Sequence, residues 1–419
     1  MTARIYERGV ASRIAAALSD TRVIALVGAR QSGKTTLTRA IVQQRSGATF
    51  VTLDDEATLA AAREDPRSFV SDRPGLLAID EVQRLPELVA AIKMNVDRDQ
   101  RPGRFLLTGS SDLLAVRGLA DTLAGRMEII DLSPLTQGEL EGRNAGFLDK
   151  LFLGEIPKHV RSTLEKSDYL RRACAGGFPE ALTRHGRRRH DWFDSYVRTV
   201  TDREVRSIAD LLHLGDLPRL MRLVAARHGS VLNVASLARD ARIPERTVHR
   251  YLDVLEAVFL VRRIRAWTPN LTARESRQPK VYVLDSGLAA HLRGASLDRL
   301  LHPETAQGAD GPILEGFVLG ELIHPLSWGE HHVDVFHFRD RDGREVDLVV
   351  EAYDGRVIGV EVKGSTTVRS DDFSGLAFLR DRLGDRFISG VVLYTGPGSL
   401  SFGDRLIALP MSMLWRPSD

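Results

Sequence analysis

The segment VIALVGARQSGKTTL, residues 23–37, is the most informative about the N-terminal part of this 419-residue chain. An apolar run ends at residue 27, the pattern G-x-x-x-x-G-K-[ST] fills residues 28–35, and helix-forming residues follow. A strand, a glycine-rich turn and a helix in that order wrap a phosphate chain. Glycines admit close approach of the backbone, and the helix N-terminus carries partial positive charge. The stretch therefore predicts a P-loop nucleotide-binding domain of the α/β class.

The residue types inside this turn suit separate parts of Mg²⁺-ATP. Lys34 is expected to reach the β- and γ-phosphates, and Thr35 is expected to place its hydroxyl on Mg²⁺. The competing interpretation is a structural glycine-rich turn, which the flanking strand and helix disfavour. The residues predicted to bind ATP are Gly28, Ala29, Arg30, Gln31, Ser32, Gly33, Lys34, Thr35 and Thr36, joined by Ser110 from a later segment.

Two acidic residues, Asp80 and Glu81, follow the apolar run 76–79. An acid at the end of a buried strand beside a phosphate loop is the Walker-B arrangement. Asp80 is expected to hold Mg²⁺, and Glu81 is expected to polarise the attacking water as general base. The alternative is a pair of residues that cap the next helix, since acids also favour that position.

A further strand is expected over residues 105–108. It resembles the sensor strand of ATPases that insert one strand between the two Walker strands. Thr108 or Ser110 stands where many such proteins use asparagine, so either is a candidate to position the lytic water; a serine-rich turn is the alternative.

Arg126 is a candidate for a charge-stabilising arginine that acts across a subunit interface in a homo-oligomer, and a surface or structural role explains it equally well.

Composition excludes several classes of protein. Hydrophobic residues make up 43% and charged residues 27%, as in globular proteins and unlike disordered, collagen-like or rod-like chains. No run approaches the ~18 apolar residues of a membrane span, and the N-terminus lacks a secretory segment. Cys174 is the only cysteine, so no internal disulfide is possible. We therefore expect a cytoplasmic protein with no membrane span, and the net charge of +2 indicates no partner.

Almost every positive charge in this chain is an arginine, and seven of the 58 basic residues are lysines. Lysine carries a compact point charge on a flexible stem. In a chain this poor in lysine, each lysine favours a position that needs such a charge. Two of the seven, Lys34 and Lys363, lie inside the strongest motifs. The lysines are Lys34, Lys93, Lys150, Lys158, Lys166, Lys280 and Lys363.

A basic module is expected over residues 217–265, which contain ten arginines against four acidic residues. Its pattern predicts three helices and the two strands of a wing, which is the arrangement of a winged helix-turn-helix domain. The side chains that the third helix would offer to a groove of double-stranded DNA are Arg246, Thr247, His249 and Arg250. Such modules also serve as protein–protein spacers. A basic face is typical of DNA-binding domains but does not by itself prove DNA binding.

The C-terminal part carries a carboxylate–lysine pattern in two strand-like runs. Asp347 lies in the first run, and Glu361 and Lys363 share one face of the second. A hairpin would bring them together, and Glu315 on the preceding helix would add a carboxylate. Such oxygen ligands suit Mg²⁺, and a neighbouring lysine activates water, as in D…E-x-K nucleases. We expect a divalent cation to stabilise this region; the alternative is a cross-strand Glu–Lys pair on an edge hairpin.

Nearly the whole chain resembles one family of bacterial and archaeal proteins, the AAA-type ATPases of the AAA_14 group with a C-terminal DUF4143 domain. The resemblance implies an ATPase core, a winged helix and a restriction-endonuclease-like domain. The serine and threonine at the sensor position depart from the usual asparagine. The motifs that carry the resemblance are GARQSGKTTL at 28–37, LLAIDEVQRLP at 76–86, RFLLTGSSDLL at 104–114, LAGRMEIIDLSPLTQGE at 123–139, GGFPEAL at 176–182, VYVLDSGLAAHL at 281–292, LEGFVLGEL at 314–322, REVDLVVE at 344–351 and GVEVKGS at 359–365.

Together these patterns predict four regions. Residues 1–140 form a P-loop core of the ASCE/AAA type with a parallel sheet, and residues 141–215 form a helical segment. Residues 216–290 form the winged-helix module. Residues 291–419 form a DUF4143 domain with a PD-(D/E)xK-like α/β fold.

Two functions remain open on the sequence. The first is an enzyme that hydrolyses ATP, acts on DNA and cuts it. The second is a nucleotide-dependent switch whose C-terminal domain is catalytically silent and binds a protein partner. A small-molecule kinase is disfavoured, because no acceptor site is recognisable and Glu81 suits the activation of water.

Overall fold

The computed structural model describes residues 5–73, 75–109, 122–143, 146–155, 159–205, 214–306 and 308–416. The chain divides into two compact units. The first unit consists of Met1–Leu135, Tyr196–Leu214 and Ala257–Phe259. The second consists of Thr136–Ser195, Gly215–Glu256 and Leu260–Asp419.

The first unit contains a five-stranded sheet in which every pair of neighbours is parallel. Its strands are β1 (Val23–Val27), β2 (Thr49–Thr52), β3 (Leu77–Asp80), β4 (Phe105–Thr108) and β5 (Met127–Asp131). The order across the sheet is β2-β3-β4-β1-β5, which confirms that one strand is inserted between the two Walker strands. Every residue of β1, β3 and β4 is buried, as expected when helices cover both faces of a parallel sheet.

Helices accompany these strands in the first unit. They are α1 (Val10–Asp20), α2 (Lys34–Gln43), α3 (Glu56–Glu64), α4 (Pro66–Ser71) and α5 (Glu87–Arg98). Local chemistry fixes their starts: the Asp55 carboxylate accepts the Thr58 backbone N–H at 2.8 Å, and Pro66 occupies the first turn of α4. Apolar side chains of strands and helices form one core, against which the half-buried Phe259 packs.

The second unit begins with helical elements. These are α6 (Gln137–Glu141), α7 (Phe147–Phe152), α8 (Lys166–Ala175), α9 (Pro179–Leu182) and α10 (Arg187–Thr199), of which the last runs on into residues of the first unit. A buried carboxylate on a later helix, that of Glu321, accepts the backbone N–H of Gln137 at 2.9 and 3.0 Å. Burial raises the pKa of Glu321 to about 8.

The GGFPEAL motif has a structural explanation in this unit. The Asp285 carboxylate accepts the backbone N–H of Gly177 at 2.7 Å and that of Leu288 at 2.8 Å. A Cβ on Gly176 would lie 2.3 Å from Asp285 Oδ1, so only glycine fits there. The motifs at 176–182 and 281–292 are therefore joined through one buried acid.

The basic module follows in the order helix, strand, helix, helix, strand, strand. Its elements are α11 (Leu217–Ala226), β6 (Ser230–Val231), α12 (Val234–Ala241), α13 (Glu245–Ala257), β7 (Val261–Ile264) and β8 (Lys280–Val283), with the short helix α14 (Leu271–Ser276) between the last two strands. The three strands form an antiparallel sheet in the order β6-β8-β7. Strand β6 and helix α14 are absent from the sequence expectation, because both are short and no apolar periodicity marks them.

The C-terminal part contains a six-stranded mixed sheet in the order β13-β14-β12-β11-β10-β9. Its strands are β9 (Val333–Arg339), β10 (Glu345–Ala352), β11 (Val357–Lys363), β12 (Phe387–Tyr394), β13 (Leu400–Ser401) and β14 (Leu406–Pro410). The helices of this part are α15 (Ser286–Leu292), α16 (Leu297–Leu301), α17 (Pro303–Ala306), α18 (Asp310–Ile323) and α19 (Ser374–Leu383). Strands β10 and β11 form an antiparallel hairpin, and β12 is parallel to both of its neighbours. Within the described ranges no helix has the length and apolarity needed to cross a membrane.

Candidate nucleotide-binding site and C-terminal carboxylate cluster

The loop between β1 and α2 has the backbone of a phosphate cradle. Gly28 and Gly33 both adopt positive φ, at 150° and 102°. A Cβ on Gly28 would lie 2.2 Å from the carbonyl oxygen of Leu132, so a side chain cannot be accommodated. Helix α2 begins at Lys34, and its first-turn N–H groups therefore face the end of this loop.

Asp80 is the centre of a hydrogen-bond cluster at the end of β3. Its carboxylate, 3% exposed, accepts the Thr35 hydroxyl at 3.1 Å to each oxygen. The hydroxyls of Thr52, at 3.3 Å, and of Thr108 donate to it as well. Parallel register explains the meeting, because β2 and β4 lie on either side of β3. The Walker-A threonine and the Walker-B acid are thus in direct contact.

Lys34 and Glu81 complete the polar groups of this site. The Lys34 ammonium donates to the carbonyl oxygens of Gly28 and Ala29 at 2.9 and 3.0 Å, so it lies against the loop. Glu81 adopts a left-handed backbone, with φ 57°, directly after β3. Burial raises the pKa of its carboxyl, which also contacts the Gln83 amide. A raised pKa makes the carboxylate a stronger base once it is ionised.

The residues present fit ATP and Mg²⁺. Gly28 stands where a Cβ would collide, Gly33 adopts a positive φ, and the Ser32 hydroxyl is buried with no hydrogen-bond partner among the described residues. Lys34 supplies a positive charge, and the Thr35 hydroxyl and Asp80 carboxylate are oxygen donors of the kind Mg²⁺ prefers. Thr36 is exposed and Arg30 is half-buried at the start of the site.

Sequence reasoning missed one residue of this site, Arg8. Its guanidinium is 8% exposed and donates to the carbonyl oxygen of Ser32 at 2.7 Å and to that of Ser133 at 2.6 Å. Arg8 therefore braces the phosphate loop from a position 24 residues before Ser32 in the chain. No motif surrounds it, so no local signal marks it in the sequence.

Two further candidate residues are Arg126 and Ser110. Arg126 pairs with Asp97 at 2.5 Å, and its carbonyl oxygen accepts the N–H of Val23. Val23 begins β1, whereas the loop follows the end of β1. Arg126 therefore lies near the N-terminal ends of the strands, and Gly28 lies at their C-terminal ends. A role for Arg126 in hydrolysis therefore requires a neighbouring copy of the chain. Ser110 lies outside the described residues.

The C-terminal hairpin brings Asp347, Glu361 and Lys363 together. The Asp347 carboxylate accepts the Val362 N–H at 3.0 Å, and the Glu361 carboxylate accepts the Asp347 N–H at 3.2 Å. Lys363 Nζ lies 3.0 Å from Glu361 Oε1. The carboxylates thus converge across the strand pair, and Asp347 and Glu361 are 8% and 9% exposed.

An unexpected lysine, Lys280, occupies this carboxylate cluster. Its ammonium lies 3.0 Å from Glu315 Oε1, 2.8 Å from Glu345 Oε1 and 2.9 Å from Asp347 Oδ1. The Lys280 side chain is 2% exposed. The one signal for it in the sequence is the rarity of lysine in this chain.

The electrostatics of the cluster follow from burial and from its excess of acids. Burial and the neighbouring Asp347 raise the pKa of both Glu315 and Glu361. Burial alone would lower the pKa of Lys280, yet the surrounding carboxylates raise it, so the ammonium stays charged. Among the described residues, no group of three or more His, Cys, Asp and Glu side chains is arranged to hold a metal ion.

The parallel sheet with β4 inserted between β1 and β3, the glycine loop and the Thr35–Asp80 contact define a P-loop NTPase domain. Comparison with known families agrees. Residues 20–141 match the model described as AAA domain, residues 310–414 match a domain of unknown function, DUF4143, and residues 166–299 match another, DUF8612. The chain belongs to the family of AAA-type ATPases with a C-terminal DUF4143 domain.

Two relatives match most of the chain. The chain is 32% identical to the Mycobacterium tuberculosis protein Rv2008c over 414 residues, which cover 98% of this chain and 85% of that protein. A Haemophilus influenzae protein is 22% identical over 326 residues, which cover 74% of this chain and 71% of the relative.

Solved structures show weaker similarity. AMPPCP-bound DnaA from Aquifex aeolicus has 15% identity and a TM-score of 0.29, over 59% of this chain and 86% of DnaA. RuvB from Thermotoga maritima has 17% identity and a TM-score of 0.29, over 64% of this chain and 93% of RuvB. Similarity at this level carries no argument about substrates or partners.

Proposed function

We propose that this protein binds and hydrolyses ATP with Mg²⁺ at the loop between β1 and α2. The observation that carries the proposal is the contact between the Thr35 hydroxyl and the Asp80 carboxylate, at 3.1 Å. In P-loop NTPases these two groups hold the magnesium ion, while the backbone and the lysine cradle the phosphates. The remaining ligands of such an ion are phosphate oxygens and water, so two protein groups suffice.

Each polar residue has one task in this reaction. Lys34 leaves the loop carbonyls and neutralises phosphate charge, and the N–H groups at the start of α2 bind phosphate oxygens. Bound Mg²⁺ offsets the negative charge that develops on the phosphates. Glu81 accepts the proton of the attacking water, a role that its raised pKa favours. Arg8 keeps the carbonyl of Ser32 in place, so the loop is held in its binding shape.

Two substitutions test this proposal. Lys34→Ala should abolish ATP binding or reduce turnover at least about 100-fold without unfolding the protein, because a phosphate counter-charge is lost. Glu81→Gln should bind ATP and hydrolyse it poorly, because the amide keeps the shape and loses the base. Turnover is followed by phosphate release and binding by a fluorescent nucleotide. Wild-type turnover in either variant would contradict the role assigned to that residue.

We also propose that the ATP-bound form is a homo-oligomer in which Arg126 approaches the nucleotide of a neighbouring copy. Its position supports this, since within one chain the half-buried Arg126 lies beside the start of β1, whereas the loop follows the end of that strand. Light scattering on Glu81→Gln with ATP tests the proposal. A monomer at every protein concentration would overturn it.

The basic module is proposed to be a winged helix that contacts double-stranded DNA. The order α11-β6-α12-α13-β7-β8 and the β6-β8-β7 sheet support this fold. Helix α13 buries Val248, Tyr251 and Leu252 and leaves Arg246 and Arg250 exposed one turn apart. An exposed basic face on the third helix is the feature that such modules insert into the major groove.

The C-terminal part is proposed to have a restriction-endonuclease-like fold. The convergence of Asp347, Glu361 and Lys363 on the β10–β11 hairpin supports it, with α18 supplying Glu315.

A second function, the nucleotide-dependent switch with a silent C-terminal domain, is favoured by one specific observation. The carboxylates that would hold a metal already surround the Lys280 ammonium.

A further inference from the structure

We propose that Lys280 is the resident cation of the C-terminal carboxylate cluster. It fills the position at which a divalent metal would bind, so the wild-type protein binds no metal at this cluster and does not cleave DNA there. The proposal rests on the endonuclease-like fold proposed above for the same residues. It goes further by naming the group that silences the site and the variant that should reopen it to metal.

The first argument is the number of contacts. A lysine ammonium has three N–H donors, and Lys280 has one carboxylate oxygen for each, on Glu315, Glu345 and Asp347, at 2.8–3.0 Å. Its donors are therefore fully used. A Mg²⁺ ion needs carboxylate oxygens at about 2.1 Å in an octahedral shell, and it cannot share these oxygens with an ammonium at the same centre. The residues present thus fit an ammonium and do not fit a divalent ion.

The second argument is that the fold holds Lys280 in this position. Lys280 begins β8 and is paired on both sides, with Val231 of β6 and Ile264 of β7. Tyr282 lies two residues further, on the same face of the strand, and its hydroxyl donates to Glu315. Two side chains of one strand therefore reach the same carboxylate, and strand pairing on both sides fixes the backbone position from which Lys280 reaches the cluster.

The third argument is the balance of buried charge. The cluster holds four carboxylates, those of Glu315, Glu345, Asp347 and Glu361, and the lysines Lys280 and Lys363. Lys363 lies on the outer side, 32% exposed, and contacts Glu361. Without Lys280, Glu315 and Asp347 would lose their nearest cation inside the protein. Buried charges of one sign need compensation, so without Lys280 these carboxylates must take up either protons or a dissolved cation.

The experiment compares Mn²⁺ binding, in the absence of nucleotide, in wild type, Asp347→Asn, Lys280→Ala and Lys280→Ala/Asp347→Asn. Binding is measured by electron paramagnetic resonance of free Mn²⁺ and by thermal unfolding with Mn²⁺ or EDTA. Wild type and Asp347→Asn should bind the same amount of Mn²⁺, so that any weak binding is independent of Asp347. Lys280→Ala should unfold at a lower temperature in EDTA and gain about 5 °C or more with saturating Mn²⁺. The double variant should lose that gain.

Lys363→Ala is the matched control, because it removes the other lysine of the cluster and leaves Lys280 in place. It should gain no Mn²⁺ site. Mn²⁺ binding in wild type that Asp347→Asn abolishes would overturn the proposal, as would Asp347-dependent nicking of supercoiled plasmid by wild type. A folded Lys280→Ala that gains no Mn²⁺ would overturn it too. Where Lys280→Ala does not fold, the comparison of wild type with Asp347→Asn decides. ATP turnover measured in the same preparations reports separately on the ATPase proposal.

Discussion

At the residue scale, Asp80 depends on three threonine hydroxyls that come from three different elements. A carboxylate buried to 3% exposure needs such donors, because charge without hydrogen bonds is costly away from water. The hydroxyl of Thr108, a sequence candidate for positioning the lytic water, is engaged by Asp80 in this structure. We therefore expect Thr108 to affect hydrolysis through Asp80, the Walker-B acid that it contacts.

Thr108→Val should lower the free energy of unfolding by about 1–2 kcal/mol, because a hydrogen bond to a charged group is lost and the shape is kept. Affinity for Mg²⁺-ATP should fall as well, since Asp80 loses one of its three hydroxyl donors and is held less firmly. Urea unfolding and nucleotide titration measure the two effects. Thr52→Val is the control: its contact is longer, at 3.3 Å, and its loss should cost less. Equal effects of the two substitutions would mean that β4 has no special part in holding Asp80.

At the element scale, helix α13 separates its two faces cleanly. Val248, Tyr251, Leu252 and Leu255 are buried, whereas Arg246, His249 and Arg250 are exposed. Other arginines of the basic module serve internal ion pairs: Arg263 contacts Asp253 and Glu256, and Arg227 contacts Asp240. The module's excess charge available to a partner is therefore concentrated on fewer residues than the sequence count indicates.

Arg246→Ala/Arg250→Ala should weaken binding of duplex DNA and reduce the slope of log affinity against log salt by about two, one for each lost phosphate contact. Fluorescence anisotropy at several salt concentrations measures both quantities. The control is Arg187→Ala/Arg188→Ala on α10, which removes the same charge from side chains that are 92% and 79% exposed. An equal loss in both variants would indicate attraction by net charge alone, and no DNA binding by wild type at low salt would make the module a spacer.

Elements with a strong local signal were predictable from the sequence. Strand β1, the loop and α2 follow from one motif, and the insertion of β4 between β1 and β3 was confirmed. The contacts of Arg8 and Lys280 were not predictable, because they join residues between 24 and 125 positions apart with no shared period. A hairpin motif gives the partners of Asp347 within the hairpin, but it contains no information about which strand packs over it.

At the scale of the whole molecule, stability should depend on pH through Glu321. Its folded pKa of about 8 lies above the ordinary glutamate value of 4.5, with burial as the main cause. The folded state then binds a proton that the unfolded state releases, so the contribution of Glu321 is fully present below pH ~4.5 and is lost as pH rises through 8.

Glu321→Gln should remove this dependence, because an amide is neutral throughout and still accepts the Gln137 N–H. Urea unfolding midpoints at pH 5 and pH 9 should differ less in the variant than in wild type, and the variant should be the more stable of the two at pH 9. Glu330→Gln, a change at an exposed glutamate of the same unit, should keep the wild-type difference. Parallel pH profiles for wild type and Glu321→Gln would contradict the role of this carboxyl.

The division of the chain into units has a consequence for protein synthesis. The first unit includes Ala257–Phe259, and Phe259 packs against its core, although its sheet is complete by Asp131. A ribosome adds roughly 5–20 residues per second, so Phe259 follows Leu135 by about 6–25 seconds. During that interval all five strands of the parallel sheet have been synthesised, whereas Phe259, which packs against their core, has not. The N-terminal unit therefore gains part of its core packing only after its sheet has been translated, and we expect a truncated chain ending near residue 140 to be cut by protease where the full-length chain resists.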